Sequence, residues 1–185
     1  IIGCKYYGCS SLTSVTIHEG VTSIGNSAFY KCSSLTSVTI PESVTSIGEW
    51  AFCYCSSLIS ITIPKSMTSI GTNAFIYCDR LIEVYNKSAL GIVAGDFSNG
   101  YVASYARNVY TDEFGESKLH KIGDYVFYVD GDNIELFAYV GGETDITLPS
   151  DYEGMHYIIA DEAFEGLTSL TSMLEIPPFA DSHAF

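Results

Sequence analysis

The sequence lacks any apolar run long enough to cross a membrane, and it carries little positive charge. No stretch approaches the roughly 18–20 apolar residues that a membrane span needs. Its 185 residues include 8 Lys or Arg against 22 Asp or Glu, a formal net charge of −14. Nucleic acids and anionic membranes recruit basic patches, so neither is expected as a partner. The chain shows no start Met and no basic-then-apolar leader, so we expect any secretion signal to be removed or to lie outside it.

The sequence also lacks the short motifs that are typical of catalytic, nucleotide-binding or metal-binding sites. It contains no G-x-S-x-G, no H-E-x-x-H and no P-loop, and its four His share no ligand spacing. Asp130-Gly131-Asp132-Asn133 has some likeness to a calcium loop, but Ile134 stands where such a loop needs an oxygen ligand. We therefore predict no catalytic residue, no cofactor site and no metal site, and interpret residues 130–133 as a hairpin turn.

What the sequence does contain is a repeat of 23 residues. Cys9, Cys32, Cys55 and Cys78 are each 23 residues apart, and CSSLTSVTI follows the first two of them without change. CSSLISITI follows the third, and CDRLIEVYN is a diverged fourth copy. Further along each unit, VTSIG or MTSIG precedes an Ala-Phe pair. Three full units and a partial fourth are therefore present.

The repeat predicts a solenoid in which each unit forms one turn, called a coil below. In LTSVTI the apolar Val15 and Ile17 alternate with Ser14 and Thr16, which is typical of a short strand with one buried face. One coil alone cannot bury its apolar residues, whereas coils stacked about 4.8 Å apart can. The polar residues that alternate with the apolar ones predict one solvated face, which a doubly wound sheet would not have.

The unit C-x-x-L-x-x-V-x-I-P…V-x-x-I-G-x-x-A-F resembles the BspA-like leucine-rich repeats over residues 9–86. The pattern returns less regularly in ITLP (146–149), IADEAF (159–164) and LTSLTSMLEIP (167–177). The resemblance implies a leucine-rich-repeat solenoid, a right-handed β-rich coil with a parallel sheet along one face. It also implies a secreted or cell-surface protein that binds a protein or glycan ligand, such as a host matrix protein, without enzymatic activity.

The repeated cysteines are predicted to be free and buried. Stacking places neighbouring Cys about 4.8 Å apart with parallel side chains, which are poorly aimed for a disulfide bond. Four Cys along such a ladder also extend too far for a single zinc site. A small hydrophobic role is therefore the better interpretation.

The 23-residue rhythm stops after Asn86, which divides the sequence into three parts. Residues 1–86 form a repeat array, residues 87–142 an irregular β-rich insertion, and residues 143–185 resumed, degenerate repeats. Within the insertion, GYVASYAR (100–107) is predicted as a short helix and NVYT (108–111) as a strand. Residues 125–140 are predicted to form a β-hairpin. Residues 151–157 are predicted to hold a four-residue insertion.

Candidate binding residues are sought where the repeat becomes irregular. The outward strand positions carry Ser or Thr in three units, and in the fourth they carry charged and aromatic residues, which are common in recognition surfaces. The alternative is that these side chains pack the insertion onto the solenoid. A structural spacer, and an enzyme that uses the acidic second half, also remain open. The candidate residues are Glu83, Tyr85, Tyr101, Tyr105, Asp130 and Asp132.

Overall fold

The computed structural model describes residues 6–111, 116–161 and 163–164, and the backbone of residues 172–173. The chain forms two compact units, Ile1–Gly115 and Glu116–Phe185. Among the described residues, a short 3-10 helix at Asn99–Tyr101 is the one helical element, and no helix there is long and apolar enough to span a membrane. The strands of the first unit are β1 (Ser14–Thr16), β2 (Ser23–Ile24), β3 (Ser37–Thr39), β4 (Ser46–Ile47), β5 (Ser60–Ile63), β6 (Ser69–Ile70), β7 (Glu83–Asn86) and β8 (Asn108–Tyr110).

In the first unit the first three coils each contribute a strand to two faces, which together hold three parallel sheets. Along one face β1 pairs with β3, and β5 pairs with β7, which in turn pairs with β8. Along a second face β2, β4 and β6 pair in that order. The partners Val15 and Val38 are 23 residues apart, as are Ile24 and Ile47, so the sequence period sets the register. This arrangement confirms the predicted solenoid with parallel sheets.

The third side of each coil is a turn segment that also bonds to the next coil. The backbone N–H of Phe29 donates to the carbonyl of Ala51 at 2.7 Å, and that of Phe52 donates to Ala74 at 2.8 Å. On the inner face of this turn segment the rings of Phe29, Phe52 and Phe75 stack. The centroid of Phe52 is 5.1 Å from that of Phe29 and 5.1 Å from that of Phe75. Each ring is fully buried. At about 1.5–3 kcal/mol for each large apolar side chain buried, stacking of coils supplies the stability that one coil lacks.

The prediction for the cysteines is confirmed for those that the structure describes. Cys9, Cys32, Cys53, Cys55 and Cys78 are free, and all but Cys9 are buried. Three of the thiols donate to a carbonyl of the preceding coil: Cys32 to Tyr6 at 3.1 Å, Cys55 to Phe29 at 3.3 Å and Cys78 to Phe52 at 3.1 Å. Cys4 lies outside the described residues.

Burial should make these thiols unreactive in the folded protein. It raises the pKa of Cys53 from 9.0 to about 11 and raises the pKa values of Cys55 and Cys78 as well. Because the thiolate is the reactive form, we expect iodoacetamide at pH 8 to modify these three cysteines only after unfolding. Mass spectrometry of the labelled peptides would measure this.

The same pKa values predict a loss of stability at high pH. An unfolded thiol ionises near 9.0, whereas the buried one stays neutral until the pH reaches its higher folded pKa. The stabilisation is therefore complete below pH 9 and is lost as the pH rises through about 11 for Cys53. Urea unfolding at increasing pH would follow it, and rapid modification of Cys53 at pH 8 in the folded protein would contradict both expectations.

Residues 87–110 add a further coil to the first unit. The predicted strand at 108–111 is present as β8, and it pairs in parallel with β7 in a register of 25 residues. The predicted helix at 100–107 is wrong: the 3-10 helix ends at Tyr101 and turns follow it. Gly100 and Tyr101 have φ values of 66° and 69°, which an α-helix cannot contain. A Cβ at Gly100 would collide with the carbonyl oxygen of Gly71 on the neighbouring coil.

The second unit contains a mixed sheet and a short parallel pair. The predicted hairpin is confirmed as β10 and β11, with Gly131 at a φ of 62° in its turn. β9 pairs antiparallel with β10, and β13 pairs in parallel with β11. β12 and β14 form the second parallel pair. The strands are β9 (Leu119–Ile122), β10 (Tyr125–Asp130), β11 (Asn133–Tyr139), β12 (Asp145–Ile146), β13 (Ile158–Ile159) and β14 (Ser172–Met173).

The second strand of the hairpin is also a rung of the resumed solenoid. Glu135 of β11 lies beside Ile158 of β13, again 23 residues away. A tight turn joins Tyr152 and Met155 within residues 151–157, and the four-residue insertion predicted there stays a prediction. The division of the sequence into 1–86, 87–142 and 143–185 stays a prediction, because the two compact units follow packing rather than repeat similarity.

Candidate interaction surface

The structure buries Glu83, which the alternation of the strand had placed on the outward face. Its carboxyl group accepts a hydrogen bond from the Tyr85 hydroxyl at 2.8 Å and another from the Tyr110 hydroxyl at 3.2 Å. Tyr85 and Tyr110 are register partners on β7 and β8, and their rings stack with centroids 5.0 Å apart. Glu83 is fully buried. The expectation that it faces solvent is therefore wrong, and it is the anchor of a tyrosine pair.

Tyr101 and Tyr105 lie on the turn side of the last coil of the first unit. The Tyr101 ring is half-buried and its centroid is 5.6 Å from that of Phe97. Tyr105 is exposed, and partial burial together with a hydrogen bond to Asp79 raises its pKa. Both residues are accessible, although not on one helical face as predicted. Their role in binding stays a prediction.

Asp130 and Asp132 lie at the hairpin turn of the second unit. The Lys118 ammonium group is 2.7 Å from an Asp130 carboxylate oxygen, in an exposed ion pair. Asp132 is exposed and borders a cavity of about 270 Å³ whose other lining residues include His156 and Ile158. These two aspartates are thus brought together by one turn, and Asp132 lines the cavity.

The structure also exposes a set of aromatic side chains that the sequence did not predict to be accessible. It is called the tyrosine row here, and it follows the turn side of four successive coils in the first unit. Tyr7 and Tyr30 stack with centroids 4.9 Å apart, and Tyr54 and Tyr77 stack at 4.4 Å. The middle step, from Tyr30 to Tyr54, is edge-on at 5.9 Å. The exposed fractions of Tyr7, Tyr54 and Tyr77 are 60%, 39% and 42%, so the row is open to a partner.

The irregular middle step has a cause in the sequence. The two later tyrosines directly precede a repeated Cys, as Tyr54 precedes Cys55, whereas Tyr30 lies one position further from Cys32. Lys31 fills the position that Tyr54 and Tyr77 occupy, and its ammonium group lies 5.5 Å from the Tyr30 ring centroid and 5.7 Å from that of Tyr54. An aromatic residue one or two positions before each Cys was thus the available signal.

The backbone of the row is strained at its two later members. Tyr54 and Tyr77 have φ values of 60° and 61°, in the left-handed region that favours glycine. The first coil has Gly8 at this position, with a φ of 71°. A non-glycine residue held there costs about 1–3 kcal/mol, and such strain often accompanies a functional site. Stacking of the rings offsets part of that cost.

Comparison with known proteins identifies the repeat class. The family model of the BspA type leucine rich repeat region matches residues 1–130 in 6 copies. No curated protein matches. Among solved structures, a leucine rich repeat protein of T. pallidum is 26% identical with a TM-score of 0.44, and the match covers 57% of this chain and 59% of that one.

Two further solved structures are similar over most of this chain. A leucine-rich repeat protein from Bacteroides ovatus is 19% identical with a TM-score of 0.44, covering 96% of this chain and 46% of that one. A leucine rich cell surface protein from Faecalibacterium prausnitzii is 23% identical with a TM-score of 0.31, covering 88% of this chain and 54% of that one. This chain therefore spans about half the length of the structures it matches.

Proposed function

The chain belongs to the BspA-type leucine-rich repeat family, and we propose that it is a non-enzymatic cell-surface or secreted protein that mediates adhesion by binding other proteins. Solenoids of this kind present an extended surface on which many weak contacts add up. The F. prausnitzii protein to which this chain is similar is a cell surface protein, which supports the same location here. A host matrix protein is the partner class that fits this location.

The tyrosine row is the observation that carries the proposal. Tyrosine is enriched among the residues that dominate protein–protein binding, because it offers a large apolar ring and a hydroxyl group with few rotatable bonds. Three members of the row are well exposed, and the stacked pairs fix their rings before a partner arrives. Less side-chain entropy is then lost on binding.

Substitution of two tyrosines tests this surface. In a Tyr54→Asn, Tyr77→Asn variant we expect binding to fall about tenfold or more, since two anchor side chains are removed. Asn tolerates a left-handed backbone, so the fold should be retained. Surface plasmon resonance against a panel of purified matrix proteins, including fibronectin and collagen, would measure the affinity. Phe97→Ala removes an exposed aromatic residue outside the row and is the matched control.

Salt dependence separates the row from the acidic second unit. Residues 116–185 contain two Lys against fourteen Asp or Glu, so a basic partner bound there would dissociate as salt screens the charges. Contact through the tyrosine row should depend only weakly on ionic strength. If the double variant bound every partner as tightly as the unchanged protein, the row would not be the interface.

A structural spacer in a larger surface protein is the second candidate function. The outward strand residues Ser14, Thr16, Ser37 and Thr39 are exposed and repeat without variation, which suits a uniform ladder better than a specific pocket. This alternative predicts that no matrix protein binds to the chain above background at any salt concentration. Retention of one partner with sensitivity to the tyrosine substitutions would exclude it.

A further inference from the structure

A depression lies beside the tyrosine row in the first unit, and it arises because one coil has a glycine where the next coils have larger residues. Its volume is about 390 Å³. Gly8 occupies the position that carries Lys31 and Tyr54 in the next two coils, and no atom lies within 4 Å of where its Cβ would be. The absent side chain leaves a notch. The lining residues are Gly8, Ser10, Lys31, Ser33, Tyr54 and Ser56.

Three of the lining residues are serines from successive coils, called the serine row. Ser10, Ser33 and Ser56 each follow a repeated Cys, so their spacing along the solenoid is about 4.8 Å. Each hydroxyl can both donate and accept a hydrogen bond. Within the described part of the chain, none of these three hydroxyl groups has a hydrogen-bond partner, although the backbones of Ser10 and Ser33 do. They are therefore available to a polyhydroxylated ligand.

Two other lining residues, Lys31 and Tyr54, supply one cation and one aromatic ring. The Lys31 ammonium group lies in the corner formed by the perpendicular rings of Tyr30 and Tyr54, within 5.7 Å of both centroids. No carboxylate of the described residues pairs with it. The ring contacts confine the ammonium group at the depression, where it can form a charge-assisted hydrogen bond to an anion.

We propose that this depression binds a carboxylated sugar, with Lys31 on the carboxylate, the serine row on the ring hydroxyls and Tyr54 against the apolar edge of the ring. A neutral sugar would leave the charge of Lys31 without a counter-charge, and a small anion would leave the serine row and Tyr54 without a contact. The volume lies within the range of small-molecule sites and suits one or two sugar rings. This ligand differs in class from the protein partner proposed above, so either proposal can fail without the other.

Galacturonic acid and galactose form a matched pair of probes, because they differ only at the carbon that carries the carboxylate. Saturation-transfer NMR and isothermal titration with the unchanged protein should detect binding of galacturonic acid and at least about tenfold weaker binding of galactose, the effect of one charge-assisted hydrogen bond. Acetate should not compete at equal concentration. Equal binding of both sugars, full competition by acetate, or no binding of galacturonic acid would each overturn the proposal.

Variants assign the binding to this depression. Lys31→Gln removes the charge and should weaken galacturonic acid binding about tenfold or more. Gly8→Asn fills the notch with a residue that tolerates the left-handed backbone, and should abolish binding without touching Lys31. Lys65→Gln, at an exposed lysine of the same array outside the depression, is the matched control and should bind like the unchanged protein. Unchanged binding by Lys31→Gln, or equal losses in Lys31→Gln and Lys65→Gln, would contradict the assignment.

Discussion

Replacing Phe52 by Ala is expected to lower the free energy of unfolding by about 3–5 kcal/mol. Phe52 is fully buried and stacks between Phe29 and Phe75, so the substitution removes two ring contacts and opens a cavity in the middle of the array. Neighbouring coils cannot close that cavity without breaking the hydrogen bonds on all three sides. Urea unfolding followed by circular dichroism would measure the change.

The matched control for this prediction is Phe97→Ala. Phe97 is 66% exposed, and its main aromatic contact is a tilted ring contact with Tyr101. Loss of an exposed ring should change the free energy of unfolding by less than about 1 kcal/mol. If Phe52→Ala were no more destabilising than this control, the stacked rings would not be what holds the coils together.

The second large effect is expected at Glu83, where alanine should cost about 2–4 kcal/mol of stability. The substitution leaves the hydroxyls of Tyr85 and Tyr110 without the acceptor that they share. Glu83→Gln should cost less, because an amide oxygen of similar shape still accepts. Thermal and urea unfolding of both variants would measure the difference.

A double-mutant cycle with Tyr85→Phe isolates the contribution of the hydrogen bond. We expect a coupling energy of about 0.5–3 kcal/mol between the two positions, since they are in direct contact. Glu19→Ala, at an exposed glutamate of the same array, should change stability by less than about 0.5 kcal/mol. An unfolding midpoint unchanged in Glu83→Ala would show that the carboxyl group is not an anchor.

Much of the fold follows from the period of 23 residues. Alternation in LTSVTI places Val38 inside and Ser37 outside, and identical spacing fixes the parallel register before any contact is known. The hairpin at 125–140 follows from alternation around Asp130 and Gly131. These features depend on local pattern, which is why the sequence alone predicts them.

The burial of Glu83 does not follow from that pattern. Alternation alone predicts that Glu83 lies on the outward face of its strand. The observed register agrees, because Glu83 pairs with Ser60 on that face, and yet Glu83 is buried. What covers it is Tyr110, 27 residues later and outside the 23-residue rhythm, so its position on the same face could not be read from the repeat. The prediction of a helix at 100–107 was wrong for a related reason. It depended on the four-residue spacing of Tyr101 and Tyr105, which does not reveal the left-handed backbone at Gly100.

The candidate interaction surface was only partly accessible to sequence reasoning. Departures from the repeat indicate Tyr105 and Asp132, which are exposed. The tyrosine row instead recurs with the repeat, apart from a shift of one position between Tyr30 and Tyr54, and so does not stand out as an irregularity. Exposure depends on tertiary structure, so a recurring aromatic residue is predicted to lie in the core unless the conformation of its turn is known.

The register of one coil upon the next has a consequence for how such a protein can change in evolution. Because Phe29, Phe52 and Phe75 meet their neighbours through the same contacts, a duplicated 23-residue segment can be spliced between two others without new geometry. Unequal recombination between the identical stretches at 9–17 and 32–40 would supply such segments. The length of the solenoid can thus change in evolution with the number of repeat copies in the gene.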